Sequence, residues 1–359
     1  MKKRQIQFFT MATVMLTAAL FAACSSDDDA PPVVKTDLQS AVTAANALIA
    51  STSEGVATGN YIKGSQAALA TAIDQAEAVV NDATVVQATV TNATVALAAA
   101  LAAYEAQKVV PIDPTNLIGQ WTFDQISAAA AGAVVKDYSG NARDGAIKVG
   151  HTFWGGGTPT LVADRYGDAN KALHFNQGAN VEVPYNTALN PTTMSISLWA
   201  KADVNNPVVN NQYMIAMNRW NGYKLNFQQD PKAFFTVKAV VPGVTDPAYY
   251  DRDNASPIVT QGAWWHIVVT FGGGHMMFYL NGILVKDWDN TPGTAILQSA
   301  PVNLVFGQDL PTTGYSLSDA DPNYLNWGGF YIGAMDEVRI YKSVLTASQV
   351  TSIYEVEKP

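Results

Sequence analysis

The chain has 359 residues, with 21 Lys and Arg against 30 Asp and Glu, a net charge of −9, one cysteine and four histidines. The acidic balance disfavours nucleic acid as a partner. A lone thiol excludes a disulfide framework, and the histidines show no HExxH or Cys/His zinc spacing. Stability must come from apolar cores, and the length is ample for two.

Lys2, Lys3 and Arg4 precede an apolar run from Phe8 to Ala23, the charged start and short hydrophobic stretch of an export signal. The run is short against the ~20 apolar residues that a bilayer core requires, so no transmembrane anchor is expected. Leu20-Phe21-Ala22-Ala23 leads into Cys24, and this stretch resembles the lipobox of bacterial lipoproteins. The resemblance implies removal of residues 1–23, acylation of Cys24 by a palmitate-type chain, and attachment to outer-membrane lipid. Phe21 departs from the aliphatic residue usual at its place. Asp27, Asp28 and Asp29 lie in the tether 24–36 and resemble the outer-leaflet signal of Bacteroides-type surface lipoproteins. Without Lys2, Lys3 and Arg4, 18 basic residues face 30 acidic ones, a net charge of −12.

Residues 37–107 carry Ala, Val and Leu at helical spacing, with no Pro and no Trp. The first stripe is Leu38, Val42, Ala45 and Ile49. The second is Leu69, Ile73, Ala76 and Val80 behind Gly64-Ser65, with Ser65 as N-cap. The third is Val86, Val90, Ala93, Leu97 and Leu101, opened by Thr84-x-x-Gln87 in the form of a capping box. A compact three-helix bundle is expected. It resembles the FIVAR modules found beside carbohydrate-active domains, with Gly59-Asn60-Tyr61 part of the likeness, and is read as a spacer.

Residues 108–115 hold Pro111 and Pro114 and are expected to end the third helix in a semi-rigid connection. From 116 to 359 the period changes from 3.6 to 2 and aromatics multiply, as in an all-β domain. Met194, Ile196, Leu198 and Ala200 share one strand face, opposite Ser195, Ser197, Trp199 and Lys201. Trp265, Ile267, Val269 and Phe271 form another inward row. Gly272-Gly273-Gly274 turns into Met276–Leu280, and Asn281-Gly282 makes a hairpin of the kind that requires positive φ. A helical pattern returns only from Thr346 to Tyr354.

Seven pieces then occur in a family order: Trp121-Thr-Phe-Asp124, Asp137-Tyr-Ser-Gly-Asn141, Ala172-Leu-His-Phe175, Ser195-Ile-Ser-Leu-Trp199, Trp264-Trp-His-Ile-Val-Val-Thr270, Tyr279-Leu-Asn-Gly282 and Gly333–Tyr341. Together they resemble the laminin-G-like, concanavalin A-like domains and cover Asn116 to Glu357. The resemblance implies an antiparallel β-sandwich, the jelly roll, with Trp199, Trp264 and His266 as packing positions; Trp121 and Trp265 belong to the core on the same reasoning.

Laminarinase-type glycosidases share that fold and use Glu-x-Asp-x-Glu on one strand, because retaining hydrolysis needs two carboxyls about 5 Å apart. Among the seven glutamates the only i, i+2 pair is Glu355/Glu357. Asp251/Asp253 and Asp319/Asp321 read as turn-capping residues in strandless stretches. Gly-x-Ser-x-Gly, Walker and dinucleotide fingerprints are missing, and Trp154-Gly-Gly-Gly157 reads as a turn. A non-enzymatic binding module is therefore expected, with a hydrolase built on loop carboxylates or a protein–protein module as alternatives.

A flat ring stacks on the apolar face of a pyranose while polar neighbours take its hydroxyls. Arg219, Trp220, Asn221 and Tyr223 have this make-up, as do Tyr249 and Tyr250 on an expected long loop, and Trp327 on another. These are the candidate carbohydrate residues. The family likeness also suggests a structural Ca²⁺, for which Asp124, Asp137, Asn141 and Asp336 offer hard oxygen ligands. The resulting expectation is a lipid-anchored outer-membrane protein that captures extracellular glycan for surface glycosidases or a TonB-dependent transporter.

Overall fold

The computed structural model describes residues 32–55, 58–204, 211–228, 231–298 and 301–359. The signal segment, Cys24 and the Asp27–Asp29 run lie outside the described residues.

Helices α1 (Thr36–Ser51), α2 (Ser65–Asn81) and α3 (Gln87–Glu105) bury Leu38, Val42, Ala45, Leu69, Ile73, Ala76, Val90 and Leu97 in one core. Each buried Leu or Ile contributes roughly 1.5–3 kcal/mol, and the alanines supply close approach rather than area. Tyr61 and Tyr104 stack at 4.1 Å between centroids beneath the bundle. Among the described residues, no helix is long and apolar enough to cross a membrane.

The expected caps are not the ones formed. Gly64, at φ 89°, holds the N-cap of α2, and Ser65 falls one residue inside. The free N–H of Gln66 instead reaches Glu54 Oε1 at 2.7 Å. At α3 the N-cap is Val86, and Thr84 turns back to Asp82 Oδ1 at 2.7 Å. The Gln87 side-chain amide exchanges hydrogen bonds with the backbone of Val34, so the side chain that the box would have turned onto Thr84 N is taken by a distant extended segment.

Beyond the bundle, seventeen strands among the described residues build two antiparallel sheets. In chain order they are β1 (Leu117–Trp121), β2 (Val134–Val135), β3 (Gly145–Lys148), β4 (Thr160–Val162), β5 (Ala172–Phe175), β6 (Asn180–Val183), β7 (Met194–Ala202), β8 (Gln212–Met217) and β9 (Tyr223–Phe227). There follow β10 (Ala233–Val240), β11 (Ala248–Asp253), β12 (Trp265–Gly272), β13 (Gly274–Leu280), β14 (Ile283–Thr291), β15 (Thr294–Ala295), β16 (Leu304–Phe306), β17 (Gly333–Tyr341) and the helix α4 (Ala347–Glu357).

The eight-stranded sheet runs β14-β13-β12-β7-β17-β5-β4, with β1 beside β17. The nine-stranded sheet runs β11-β10-β9-β8-β16-β6-β3-β2, with β15 beside β10. Alternate residues of both meet in one core: Met194, Ile196, Leu198 and Ala200 from one sheet, Tyr223, Leu225 and Phe227 from the other. The β13–β14 hairpin has Asn281 at φ 49° and Gly282 at φ 77°, the two left-handed residues that its sequence requires.

The outer face of the eight-stranded sheet is also sealed, by α4. Ser197, Trp199 and His266 lie buried beneath that helix; Tyr354 stacks on Trp199, whose Nε1 donates to Glu357 Oε2 at 2.9 Å. Burial, then Arg339 and Arg165, pushes His266 down to about 3, so the imidazole facing Ser197 Oγ at 2.9 Å is neutral. A second, smaller core of Val268, Tyr279, Tyr341, Leu345 and Val350 forms there.

The proline-containing connection is docked on α4. Val110 N donates to Ser352 Oγ at 2.9 Å, Gln349 Nε2 donates to Pro111 O at 2.8 Å, and Ile112 packs against the small core.

The capping box expected at α3 is present at α4, where Thr346 and Gln349 satisfy one another's backbone N–H. Thr346→Ala is expected to cost about 1 kcal/mol, a typical loss for an N-cap hydroxyl. Urea unfolding of the variant beside the parent measures it, as a lower midpoint at an unchanged slope.

Candidate functional site

Of the four sheet faces, two form the core and a third lies under α4. The outer face of the nine-stranded sheet carries polar side chains at its centre. The period of two along β9 sends Tyr223, Leu225 and Phe227 into the core and Lys224 and Asn226 outward. Register extends the outward set to Thr236, opposite Lys224 on one side, Ala216 on the other, and Asp251 beyond Thr236. Tyr213 stands opposite Asn226, and Lys238 and Tyr249 are paired one row away.

One wall is the short 3-10 turn Arg219–Asn221 between β8 and β9. Asn218 and Arg219 both sit in the left-handed region, at φ 64° and 50°. That conformation is easy for Asn and unfavourable for Arg. Gly222 follows because a Cβ there would meet Met217 O at 2.1 Å. What holds the strained turn is a buried ion pair: Arg219 Nε donates to Asp309 Oδ2 at 2.7 Å, with neither side chain exposed.

The same guanidinium reaches the carbonyls of Pro322 and Tyr324, and Tyr315 Oη donates to Asp309 Oδ1 at 2.5 Å. The segment 308–330 is thereby tied to the turn. A hollow of about 260 Å³ lies beside the turn, lined by Asn218, Pro301, Val302, Asn303, Leu310, Pro311, Thr313, Gly314 and Asn323.

Lys224 is only 5% exposed, its ammonium 5.1 Å from the Tyr213 ring and 5.3 Å from that of Trp220. Burial pulls its pKa down to about 8, against the opposing pull of Asp309 and Asp251. Thr236 Oγ1 donates to Asp251 Oδ1 at 2.6 Å, and Lys238 lies 5.1 Å from the Tyr249 ring.

The seven carbohydrate candidates therefore divide. Trp220 (half-buried), Asn221 (exposed) and Tyr249 (51% exposed) border this face. Trp327 is 46% exposed on the 308–330 segment and is buttressed edge-on by Tyr324 at 5.6 Å. Arg219 is a buried structural cation rather than an open sugar contact. Tyr223 and Tyr250 belong to the core, with Tyr223 Oη on Leu189 O at 2.7 Å and Tyr250 Oη on Pro292 O at 2.8 Å. Tyr249 to Asp253 form strand β11 rather than a loop, which puts the two tyrosines on opposite faces. Lys224, Thr236 and Tyr213 were missed; the alternation in Tyr223-Lys-Leu-Asn-Phe227 is the signal that could have found them.

The four proposed metal ligands do not form one oxygen set. Both oxygens of Asp137 accept from Gln120 N, Ser139 N, Ser139 Oγ and Arg143 N, while Asn141 donates its amide to Leu117 O and Ile118 O. These two residues organise a turn. Asp336 is held by Arg165 Nη1 at 2.6 Å and by Glu337 N at 2.8 Å. Burial and the nearby Glu337 push the Asp124 carboxyl upward. Among the described residues, no three His, Cys, Asp or Glu side chains converge as a metal site, and this donor set does not fit Ca²⁺.

A buried charge cluster of Arg165, Asp336, Glu337, Arg339 and Glu357 resembles a catalytic centre in its displaced carboxyls, since burial raises Asp336 and Glu337. It lies against α4, where Arg165 Nε donates to Glu357 O at 2.6 Å and Arg339 pairs with the Glu357 carboxylate, so it fastens the helix.

Two outcomes are expected. Asp309→Ala, which strands Arg219 without its anion, should lower stability by about 3–5 kcal/mol in chemical denaturation. Chelation by EDTA should leave the thermal midpoint unchanged.

Residues 175–351 match the family model described as the concanavalin A-like lectin/glucanases superfamily. A search of curated sequences found no match. Among solved structures, domain 4 of the Geobacillus stearothermophilus arabinanase AbnA, in complex with arabinotriose, is 20% identical with a TM-score of 0.47, over 67% of this chain and 98% of that one. The binding domain of Paraclostridial Mosquitocidal Protein 1 is 17% identical with a TM-score of 0.47, over 67% of this chain and 52% of that one. The receptor-binding domain of botulinum neurotoxin mosaic serotype C/D is 15% identical with a TM-score of 0.46, over 68% and 51%. The chain thus spans about half the length of those toxin domains. The three-helix unit is followed by an antiparallel jelly roll, whose residues 175–351 are similar to the concanavalin A-like lectin/glucanases superfamily.

Proposed function

We propose that the protein binds carbohydrate on the outer face of its nine-stranded sheet and does so without cleaving it. The observation that carries this reading is the pairing of Trp220 and Tyr249 with Lys224 and Lys238 on the one sheet face free of both core and α4. Rings supply the stacking surface, and the ammonium groups supply hydrogen-bond donors at fixed positions on rigid strands.

In this reading Cys24 carries the lipid anchor, the mature chain faces the exterior of the outer membrane, and the helical bundle is a spacer. The captured polymer is passed to surface glycosidases or to a transporter of the TonB-dependent kind. The lipobox-like stretch before Cys24 and the acidic run after it support that placement.

Affinity gel electrophoresis against a polysaccharide panel tests the binding role. At least one polymer is expected to retard the protein. Trp220→Ala and Tyr249→Ala should each weaken retention by roughly fivefold to a hundredfold, as loss of about 1–3 kcal/mol of ring contact implies. Tyr138→Ala, which removes an exposed ring on the 137–143 turn, should leave retention unchanged. A protein that runs freely in every polysaccharide is not a glycan binder, and release of reducing sugar from any of them would make it an enzyme.

A further inference from the structure

Lys224 poses an electrostatic problem. The residue is only 5% exposed, and among the described residues its ammonium, which keeps a small opening to solvent, makes no ion pair within 4 Å and no hydrogen bond. Burying an ammonium without a partner costs several kcal/mol, and such groups are normally paired. The nearest anions do not reach it. Asp309 spends one oxygen on Arg219 and the other on Tyr315, and Asp251, which accepts the hydroxyl of Thr236, stays beyond ion-pair distance. The neighbours of Lys224 are instead the rings of Tyr213 and Trp220, which attract the cation through their faces and leave its hydrogens without acceptors.

A second cation stands nearby. Lys238 is two residues beyond Thr236 on the same face, a diagonal neighbour at roughly 7–8 Å. It too lies against a ring, that of Tyr249, and makes no side-chain ion pair among the described residues. Of the thirteen described lysines only Lys136, Lys232 and Lys358 meet a carboxylate, and among the other ten Lys224 alone is buried. On a chain with a net charge of −9, two lysines without an ion pair stand between two sugar-sized rings, with Asp251 the carboxylate that shares their face.

We infer that the glycan held on this face is acidic, its carboxylate or sulfate ester completing the coordination of the Lys224 ammonium while Lys238 takes a second acidic group and Trp220 and Tyr249 carry the sugar rings. This rests on the glycan-binding reading above and names its ligand class. A neutral sugar would supply hydroxyl acceptors but no charge to offset the burial of Lys224. A charge-assisted bond contributes about 1.5–3 kcal/mol, roughly twice a neutral one.

The test uses the whole chain without its leader, in affinity gels and titration calorimetry. Polygalacturonate, alginate, chondroitin sulfate and heparin are compared with galactan, arabinan, laminarin and carboxyl-reduced polygalacturonate. Retention by at least one acidic polymer and by none of the neutral ones is expected, with affinity falling as NaCl rises from 50 to 500 mM. Uronate polymers bound without the sulfated ones identify the carboxylate as the ligand group, and the reverse identifies the sulfate ester.

Lys224→Met, which keeps the apolar stem, should weaken acidic binding by roughly tenfold or more, whereas Lys224→Arg should restore part of it. Lys238→Met, at a more exposed position, gives a second reading that does not depend on the fold tolerating a change at residue 224. Binding of neutral polymers with no preference for acidic ones would overturn the inference while leaving the glycan reading intact, as would unchanged acidic binding in folded Lys224→Met and Lys238→Met. Failure to bind any polysaccharide would overturn both.

Discussion

Arg219 and Asp309 meet at 2.7 Å in a place where neither touches water, and the whole outer face of the nine-stranded sheet is arranged around that contact. The bond draws two segments together that are ninety residues apart in sequence. On one side it stabilises a turn whose backbone is unfavourable for arginine; on the other it anchors the long segment that follows β16. Removing either partner would leave a buried charge alone, so the pair is costly to break even if forming it contributes little net stability. Trp220 is placed where it is because its neighbour is fixed in this way.

The same sheet shows what a sequence can and cannot convey. Its strands were legible because alternation is a strong signal: Met194 to Ala200 and Ile267 to Phe271 point inward as their spacing requires. The hairpin at Asn281-Gly282 was legible because few residue pairs accept two positive φ angles in succession. Helix existence was also clear, but caps were not. A cap depends on which other segment arrives at the helix end, and Val34 arriving at Gln87 is a tertiary event that no local pattern encodes.

The site was less legible for a related reason. Tyr249 and Tyr250 look equivalent in sequence, yet a strand through them sends one to solvent and the other into the core, so assigning them to a loop erased the distinction that mattered. Tyr223 failed the same way: it is the inward member of an alternating run whose outward members, Lys224 and Asn226, carry the polar character of the face. Residues chosen for chemistry alone gave a mixture of core and surface. The parity of the strand separates them, and parity requires knowing where the strand begins. Asp137 and Asn141 were read as metal ligands, but whether an aspartate serves a metal or its own backbone depends on four N–H and O–H donors, of which Gln120 N becomes a neighbour only after folding.

The connection between the helical unit and the sandwich looks, from its two prolines, like a spacer that fixes distance alone. It is fixed in direction as well, because Val110 and Pro111 are bonded to α4, and α4 is itself clamped to the sheet through Glu357. The join would then behave as a stiff mast instead of a rope, so that the helical unit and the sandwich turn together and a load taken by one passes to the other without slack.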